Sequence, residues 1–173
     1  MSKSRFSPKS IAISGIIAAL YAVMAYFSSV FGIAYGPIQC RFSEALCVLP
    51  FLFPETAWGL FAGCWVANLL SPYGLPDMII GSLATLIAAL WTSKCRSKWL
   101  APLPPVVCNG ILVGAVLAWQ QTGFGDAFLP AFLFNGGSVA LGEAAVCFIL
   151  GLVLLRTMEK TPYFRDLSSR RKK

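Results

Sequence analysis

The sequence predicts an all-α integral membrane protein. Of its 173 residues, 57% are hydrophobic and only 12% are charged, whereas a soluble domain carries about 25% charged residues. Long apolar segments alternate with short polar turns, and the lysines and arginines gather at the segment ends. A chain of this kind has lipid as its solvent, so helices must satisfy the backbone hydrogen bonds within each span.

Six apolar segments are predicted to form a helical bundle, over residues 11–31, 42–53, 56–70, 78–92, 104–120 and 130–156. A spanning helix needs about 20 residues, so the second, third and fourth segments require neighbours that cover their polar ends. Pro50 and Pro54 leave the boundary between the second and third segments uncertain. The first segment is longer than the apolar part of a signal peptide and no small-residue cleavage site follows, so we expect a retained helix.

Basic clusters predict the orientation of the bundle. They comprise Lys3, Arg5 and Lys9, then Lys94, Arg96 and Lys98, and finally the stretch from Arg156 onward. With six crossings and a cytoplasmic N-terminus, all three clusters face the cytoplasm, as the positive-inside rule requires. We therefore expect a cytoplasmic segment at 1–10, a membrane domain at 11–156, and a basic cytoplasmic tail at 157–173 near acidic membrane lipid.

Polar residues at depth are the candidate binding site, because lipid makes each of them costly. In the predicted topology they fall in the outer half or near the midplane, and they are Gln39, Arg41, Glu44, Asn68, Asp77, Asn135 and Glu143. Asn109 lies nearer the cytoplasmic end of its helix and ranks lower.

Each acidic residue has a structural and a functional interpretation. Arg41 and Glu44 are three residues apart, so they could pair on one helical face, or contact a polar solute. Asp77 could cap the fourth helix or contact a ligand. Glu143 has no basic residue within one turn, so it is either protonated and bonded to a helix carbonyl or faces a cavity. Aromatic residues crowd the outer rim, where a few facing inward would offer stacking planes.

Small residues form a smooth face on the first helix. Ala18 and Ala22 continue a four-residue repeat from Ser14, and Gly15 and Ala19 lie on the adjoining stripe. Such a face either packs within the bundle or docks a separate membrane protein.

Several functional classes are disfavoured by what the sequence lacks. The six cysteines form no CxxC pair and histidine is absent, so zinc and iron–sulfur spacings are missing. The basic residues form no single stripe, which argues against nucleic acid. No ATPase, hydrolase or dinucleotide motif occurs, and a lipid-modifying enzyme would need clustered acids and histidine. A purely structural role would leave the polar outer pocket unexplained.

Three stretches of the sequence are IQCRFSEALCVLPFLFP, then GLFAGCWVANLLSPYGLPDMIIGSLATLIAA, and later NGGSVALGEAAV. They resemble the QueT family, the substrate-binding S components of energy-coupling factor (ECF) transporters for queuosine precursors. The resemblance implies a six-helix S-component fold in the cell membrane, with no enzyme activity and no bound cofactor. It also implies partners, namely a transmembrane coupling protein and two cytosolic ATPase subunits that use ATP. The coupling protein would meet Ala18 and Ala22, or Gly15 and Ala19 if the register is shifted.

The implied ligand is a 7-deazaguanine such as preQ0, preQ1 or queuine, or alternatively another flat vitamin or purine-like solute. A carboxylate can accept two parallel hydrogen bonds from the guanine-like edge, which suits Glu143 or Glu44. The ligand carbonyl needs a donor, which suits Asn68, Asn135 or Arg41. Asp77 or the second glutamate could pair with the aminomethyl cation of preQ1.

Overall fold

The computed structural model describes residues 8–34 and 39–161, and within these ranges the chain folds into helices joined by turns. They are α1 (Pro8–Val30), a 3₁₀ helix (Phe42–Phe51), α2 (Thr56–Asn68), α3 (Gly74–Thr92), α4 (Leu103–Thr122), α5 (Phe128–Ala145), a π-helical segment (Val146–Gly151) and α6 (Leu152–Lys160). The predicted all-α fold is confirmed over these ranges.

Four helices are long and apolar enough to cross a bilayer. They are α1, α3, α4 and the continuous helix of 33 residues that runs from Phe128 to Lys160 through the π-helical segment. The six crossings and the orientation of the termini stay predictions. Lys3, Arg5 and residues 162–173 lie outside the described residues.

The second predicted segment is a buried 3₁₀ helix instead of an α-helix over 42–53. Its residues from Ser43 to Pro50 are all buried, and the helix packs against α1, α3 and the π-helical segment. A 3₁₀ helix rises about 2.0 Å per residue, compared with about 1.5 Å in an α-helix. Its ten residues therefore span a longer distance than ten residues of α-helix would. Neighbouring protein, in place of lipid, covers their backbone.

Glycines allow two pairs of consecutive helices to approach closely. A Cβ on Gly63 of α2 would lie 2.7 Å from the carbonyl oxygen of Ala18 on α1, and one on Gly114 of α4 would lie 2.5 Å from the Cα of Gly136 on α5. These contacts are closer than side chains permit, as in small-residue packing between membrane helices. They bring α1 against α2 and α4 against α5.

The small face of α1 is divided between inner and outer positions. Ala18 packs toward Gly63, and Ala22 is half-buried, whereas Gly15 and Ala19 are exposed. The sequence left open which of two residue pairs would form the docking face. The structure leaves the pair of Gly15 and Ala19 exposed.

Helix α3 begins at Gly74, four residues before the predicted start at Met78. Pro76 is tolerated there because the first turn of a helix needs no intrahelical N–H donor. The N-cap position is Tyr73, and no side chain caps it. The interpretation of Asp77 as an N-cap is therefore wrong, because this residue lies within the first turn.

Polar contacts join α6 to the connection between α3 and α4, at the end of α3 opposite Asp77. Lys98 Nζ lies 2.9 Å from Glu159 Oε2, and the Arg156 guanidinium lies 4.8 Å from the centre of the Trp99 ring. These contacts anchor the end of the long helix.

Candidate functional site

A polar pocket lies where the 3₁₀ helix, α3, α4 and α5 meet. Six of the eight predicted site residues line it, namely Gln39, Arg41, Glu44, Asp77, Asn109 and Glu143. The other lining residues are Cys64, Gly81, Thr85, Val113 and Val139. Residues that are far apart in the sequence therefore meet around one cavity.

Arg41 joins the start of the 3₁₀ helix to α2 and α3. Its Nη1 donates to Asn68 Oδ1 at 2.9 Å, and its Nη2 lies 3.7 Å from Asp77 Oδ2. Asn68 Nδ2 donates in turn to the Asp77 carbonyl at 3.2 Å, and Ser71 Oγ donates to the Asp77 carboxylate at 2.6 Å. The guanidinium, the amide and the carboxylate form one buried network.

The pairing of Arg41 differs from the sequence expectation. Arg41 precedes the 3₁₀ helix with an extended backbone, φ −113° and ψ 120°. The three-residue spacing to Glu44 therefore does not put both side chains on one helical face. Among the ion pairs of the described residues, Arg41 pairs with Asp77 on α3.

Glu44 accepts hydrogen bonds from two neutral donors. One is the hydroxyl of Tyr21, a residue with no exposed surface, and the other is Cys47 Sγ at 3.0 Å. Side chains at i and i+3 eclipse in a 3₁₀ helix, so this helix type places the Cys47 thiol directly over the Glu44 carboxylate. α1 thereby contributes to the site through Tyr21.

Glu143 lies on α5 and accepts a hydrogen bond from Asn109 Nδ2 on α4. Cys147 Sγ lies 3.6 Å from Glu143 Oε2 and 3.3 Å from the Glu44 carbonyl oxygen. Cys147 thus joins the neighbourhoods of the two glutamates. Asn109, which the sequence ranked lower, is a direct partner of the central carboxyl group.

Gln39 enters the pocket through a close contact of its backbone with α5. A Cβ on Gly142 would overlap the carbonyl oxygen of Gln39 and lie 2.6 Å from its carbonyl carbon. Only glycine allows this approach, so Gly142 holds the Gln39 segment beside Glu143. Burial and the nearby Glu143 raise the pKa of the adjacent Cys40 thiol.

Two predicted site residues lie outside the lining. Asn68 stands behind the pair of Arg41 and Asp77. Asn135 donates to Gln121 Oε1 at 2.8 Å and to the Ala131 carbonyl at 2.9 Å. Its amide therefore joins the C-terminal end of α4 to the N-terminal half of α5.

The predicted aromatic stacking plane is not part of the described lining. Trp119, Phe124, Phe128 and Phe132 instead form a series of ring contacts, with centroids 5.5 to 6.2 Å apart. Tyr35, another of the aromatic residues that the sequence places at the outer rim, lies outside the described residues. Apolar walls come from Val113 and Val139.

Tyr21 is a site residue that sequence reasoning missed. Ser14, Tyr21 and Ser28 recur every seven residues, which is about two helical turns. Each makes a hydrogen bond to another segment, since Ser14 Oγ donates to the Glu55 carbonyl at 3.0 Å and Ser28 Oγ accepts from the Phe42 N–H at 2.9 Å. This polar row on an apolar helix was the available signal. Tyr21 contacts the lining residue Glu44 from behind, and the lining residues that the sequence missed carry no comparable signal.

The cavity offers about 20 Å³ to the centre of a water molecule, which is room for about one water. A bicyclic base needs more space, so binding requires the lining side chains to move apart.

Among the described residues, no group of histidine, cysteine or acidic side chains has the arrangement of a metal site.

A bundle of apolar helices around a buried, ion-paired pocket is typical of multi-pass membrane proteins that keep a polar site within the bilayer. The chain belongs to the QueT transporter family, whose model matches residues 11–160. It is 38% identical over 72 residues to the queuosine precursor transporter QueT of Lactococcus lactis subsp. cremoris (strain MG1363). The aligned part spans 42% of this chain and 42% of that relative.

No solved structure matches the chain. The family and the relative are transporters, which is consistent with the prediction that the chain is not an enzyme.

Proposed function

We propose that the protein is the substrate-capture S component of an ECF-type importer and that it binds a queuosine precursor from outside the cell. The ligand is a 7-deazaguanine such as preQ0, preQ1 or queuine. The chain lies in the cell membrane with both termini in the cytoplasm, and partner ATPase subunits hydrolyse the ATP. The alternative is an S component for another flat vitamin or purine-like solute.

The observation that carries this proposal is the meeting of Glu44 and Glu143 with the Arg41–Asp77 pair in one buried pocket. A guanine-like edge has a ring N–H and an exocyclic amine, which one carboxylate accepts through two parallel hydrogen bonds. The ligand carbonyl needs a donor, and the amide of Asn109 or the guanidinium of Arg41 supplies it. Family membership over residues 11–160 supports the same ligand class.

The proposed pocket would also reject related bases. An adenine-like edge presents an acceptor where guanine presents a donor, so a buried carboxylate would face a lone pair. Polar groups left unpaired in a buried site cost far more than the loss of an apolar contact. Discrimination between purines therefore follows from the carboxylates.

Equilibrium binding to the purified protein in detergent tests the proposal, with preQ0, preQ1, queuine, guanine, riboflavin and biotin as ligands. Tight binding confined to the deazapurines is the expected result. Binding of riboflavin or biotin instead would favour the alternative, and binding of none of them would contradict the capture role.

The variant Glu143→Gln tests the role of the central carboxyl group. It keeps the side-chain shape and the hydrogen bond with Asn109 while removing one acceptor for the ligand edge. We expect binding to weaken by about 1 to 3 kcal/mol. Affinity equal to that of the native protein would move the ligand contacts to other residues.

Coupling to a membrane partner is a separate part of the proposal and rests on the exposed stripe of α1. A Cβ on Gly15 would meet nothing within 4 Å, and Ala19 is exposed beside it. Ala19→Trp should leave ligand binding intact and abolish uptake by the complete transporter. Leu83→Trp on the exposed face of α3 is the control, and uptake should persist there. Normal uptake by the Ala19 variant would remove this face as the docking surface.

A further inference from the structure

We propose that the protein binds one two-chain phospholipid with an amine in its headgroup, at the end of the bundle where α1 and α2 begin. This site lies outside the polar pocket and goes beyond the proposed function. It follows from two apolar grooves that share one polar opening.

The two grooves run along α1 from the same opening, because Ser10 and Glu55 line both of them. The α1–α2 groove offers about 310 Å³ to the centre of a water molecule. The second groove lies between α1, the 3₁₀ helix and α6, is called here the α1–α6 groove, and offers about 350 Å³. The polar pocket offers about 20 Å³, so only the grooves have room for long apolar groups without rearrangement.

Small and apolar side chains form the walls of the grooves. In the α1–α2 groove they include Gly15, Ala18 and Ala62, and a Cβ on Gly15 would meet nothing within 4 Å. In the α1–α6 groove they include Ile17 and Phe53. Walls of this kind suit hydrocarbon chains and offer little to a polar solute.

The depth of the grooves matches one leaflet of a bilayer. Both grooves begin at Ser10, and they reach Ala18 in one case and Ile17 in the other. From residue 10 to residue 18 an α-helix rises about 12 Å, and one leaflet of the hydrocarbon core is about 15 Å thick. Two grooves of this depth that leave one opening fit the two acyl chains of a single phospholipid.

The shared opening lies at headgroup level and carries charges of both signs. Lys9 is in the first turn of α1, and Glu55 immediately precedes α2. Both line the α1–α6 groove. Glu55 is half-buried and makes no ion pair with the described residues, whereas Glu159 at the same end of the bundle pairs with Lys98. A lysine and a carboxylate that face one groove without pairing with each other leave space for a group between them.

The charges at the opening are complementary to a zwitterionic headgroup. Lys9 and the Ser10 hydroxyl can donate to a phosphate, and the Glu55 carboxylate can accept from an ammonium. An opening with basic residues alone would favour anionic lipids. Glu55 repels a headgroup that carries only negative charge, and a quaternary ammonium has no N–H to donate to it. A primary amine beside the phosphate is therefore the preferred headgroup.

Native mass spectrometry of the purified protein in detergent tests this inference, with phosphatidylethanolamine, phosphatidylcholine and phosphatidylglycerol of identical acyl chains as probes. The expected result is one retained phosphatidylethanolamine per chain, bound about tenfold more tightly than either other lipid. The single-chain lyso form should bind at least about tenfold more weakly than the two-chain form, because one groove loses its chain. Equal retention of the three headgroups, equal binding of the lyso form, or no retention would overturn the inference.

Glu55→Gln tests the headgroup contact. It should remove the preference for phosphatidylethanolamine over phosphatidylglycerol while leaving retention of the latter unchanged or increased. Asp126→Asn is the control, because it removes an equal charge from an exposed position on the α4–α5 connection. A preference that persists in the Glu55 variant would overturn the assignment of the amine.

Ala62→Trp tests the acyl-chain contact, because the added ring fills the α1–α2 groove. Retention of phosphatidylethanolamine should fall about tenfold. Ala12→Trp is the control, since it adds the same ring at an exposed position of α1 that lines neither groove. Equal retention by the two tryptophan variants would contradict the placement of a chain in this groove. Deazaguanine binding measured on the same samples reports on the proposed function separately.

Discussion

Two ion pairs at opposite ends of the bundle differ mainly in how much of their side chains is exposed to solvent. Arg41 and Asp77 are separated by 3.7 Å, and their side chains are 12% and 2% exposed. Lys98 and Glu159 are closer, at 2.9 Å, yet 36% and 30% exposed. Exposed pairs contribute little because water and salt screen them, whereas a buried charge that loses its partner is strongly destabilising. Burial, and not separation, therefore decides which pair matters.

The two ends also differ in the number of groups that depend on each pair. Asp77 holds Ser71 as well as Arg41, and Asn68 contacts both partners of the pair. Lys98 and Glu159 join one helix end to a connection. Loss of a partner should therefore spread through the pocket end and remain local at the other.

Breaking the buried pair should give the largest effect. Arg41→Met removes the cation from Asp77 and should lower the free energy of unfolding by about 3 to 5 kcal/mol. Thermal unfolding in detergent measures the loss. The double variant Arg41→Met/Asp77→Asn should recover most of that stability, since no uncompensated charge remains. A single variant as stable as the native protein would contradict this view of the pocket.

The backbone contact at Gly142 should give an intermediate effect. Gly142→Ala should push Gln39 away from α5. Overpacking of this kind lowers the free energy of unfolding by about 1 to 3 kcal/mol. We expect faster ligand dissociation, measured by displacement of bound ligand. Gly137→Ala on the same helix is the control, because a Cβ there would meet nothing within 4 Å. Equal dissociation rates in both variants would show that this contact does not hold the pocket.

Breaking the exposed pair should give the smallest effect. Lys98→Ala should lower the free energy of unfolding by less than about 1 kcal/mol, and the difference should shrink as salt increases. Thermal unfolding at low and high salt measures both quantities. Lys94→Ala is the control, as an exposed lysine after the same helix. A loss comparable to that of Arg41→Met would remove the contrast between the two ends.

The sequence alone predicted the helical membrane fold and most residues around the pocket. Both predictions rest on the same physical fact, that lipid tolerates neither open backbone hydrogen bonds nor unneeded charge. Any ionisable residue within an apolar segment is therefore informative without knowledge of its neighbours. Glu44, Asp77 and Glu143 were identified in this way, and all three line the cavity.

Only the tertiary structure decided how these residues pair and which faces stay open. Arg41 reaches Asp77 because its backbone is extended, and Asn135 bonds Gln121 across a helix contact. The 3₁₀ helix depends on burial against its neighbours. Gly15 points outward because the α1 backbone at Ser14 and Ala18 packs against Gly59 and Gly63 of α2. Each outcome is a contact between segments distant in sequence, and spacing along one segment holds no information about the approach of another.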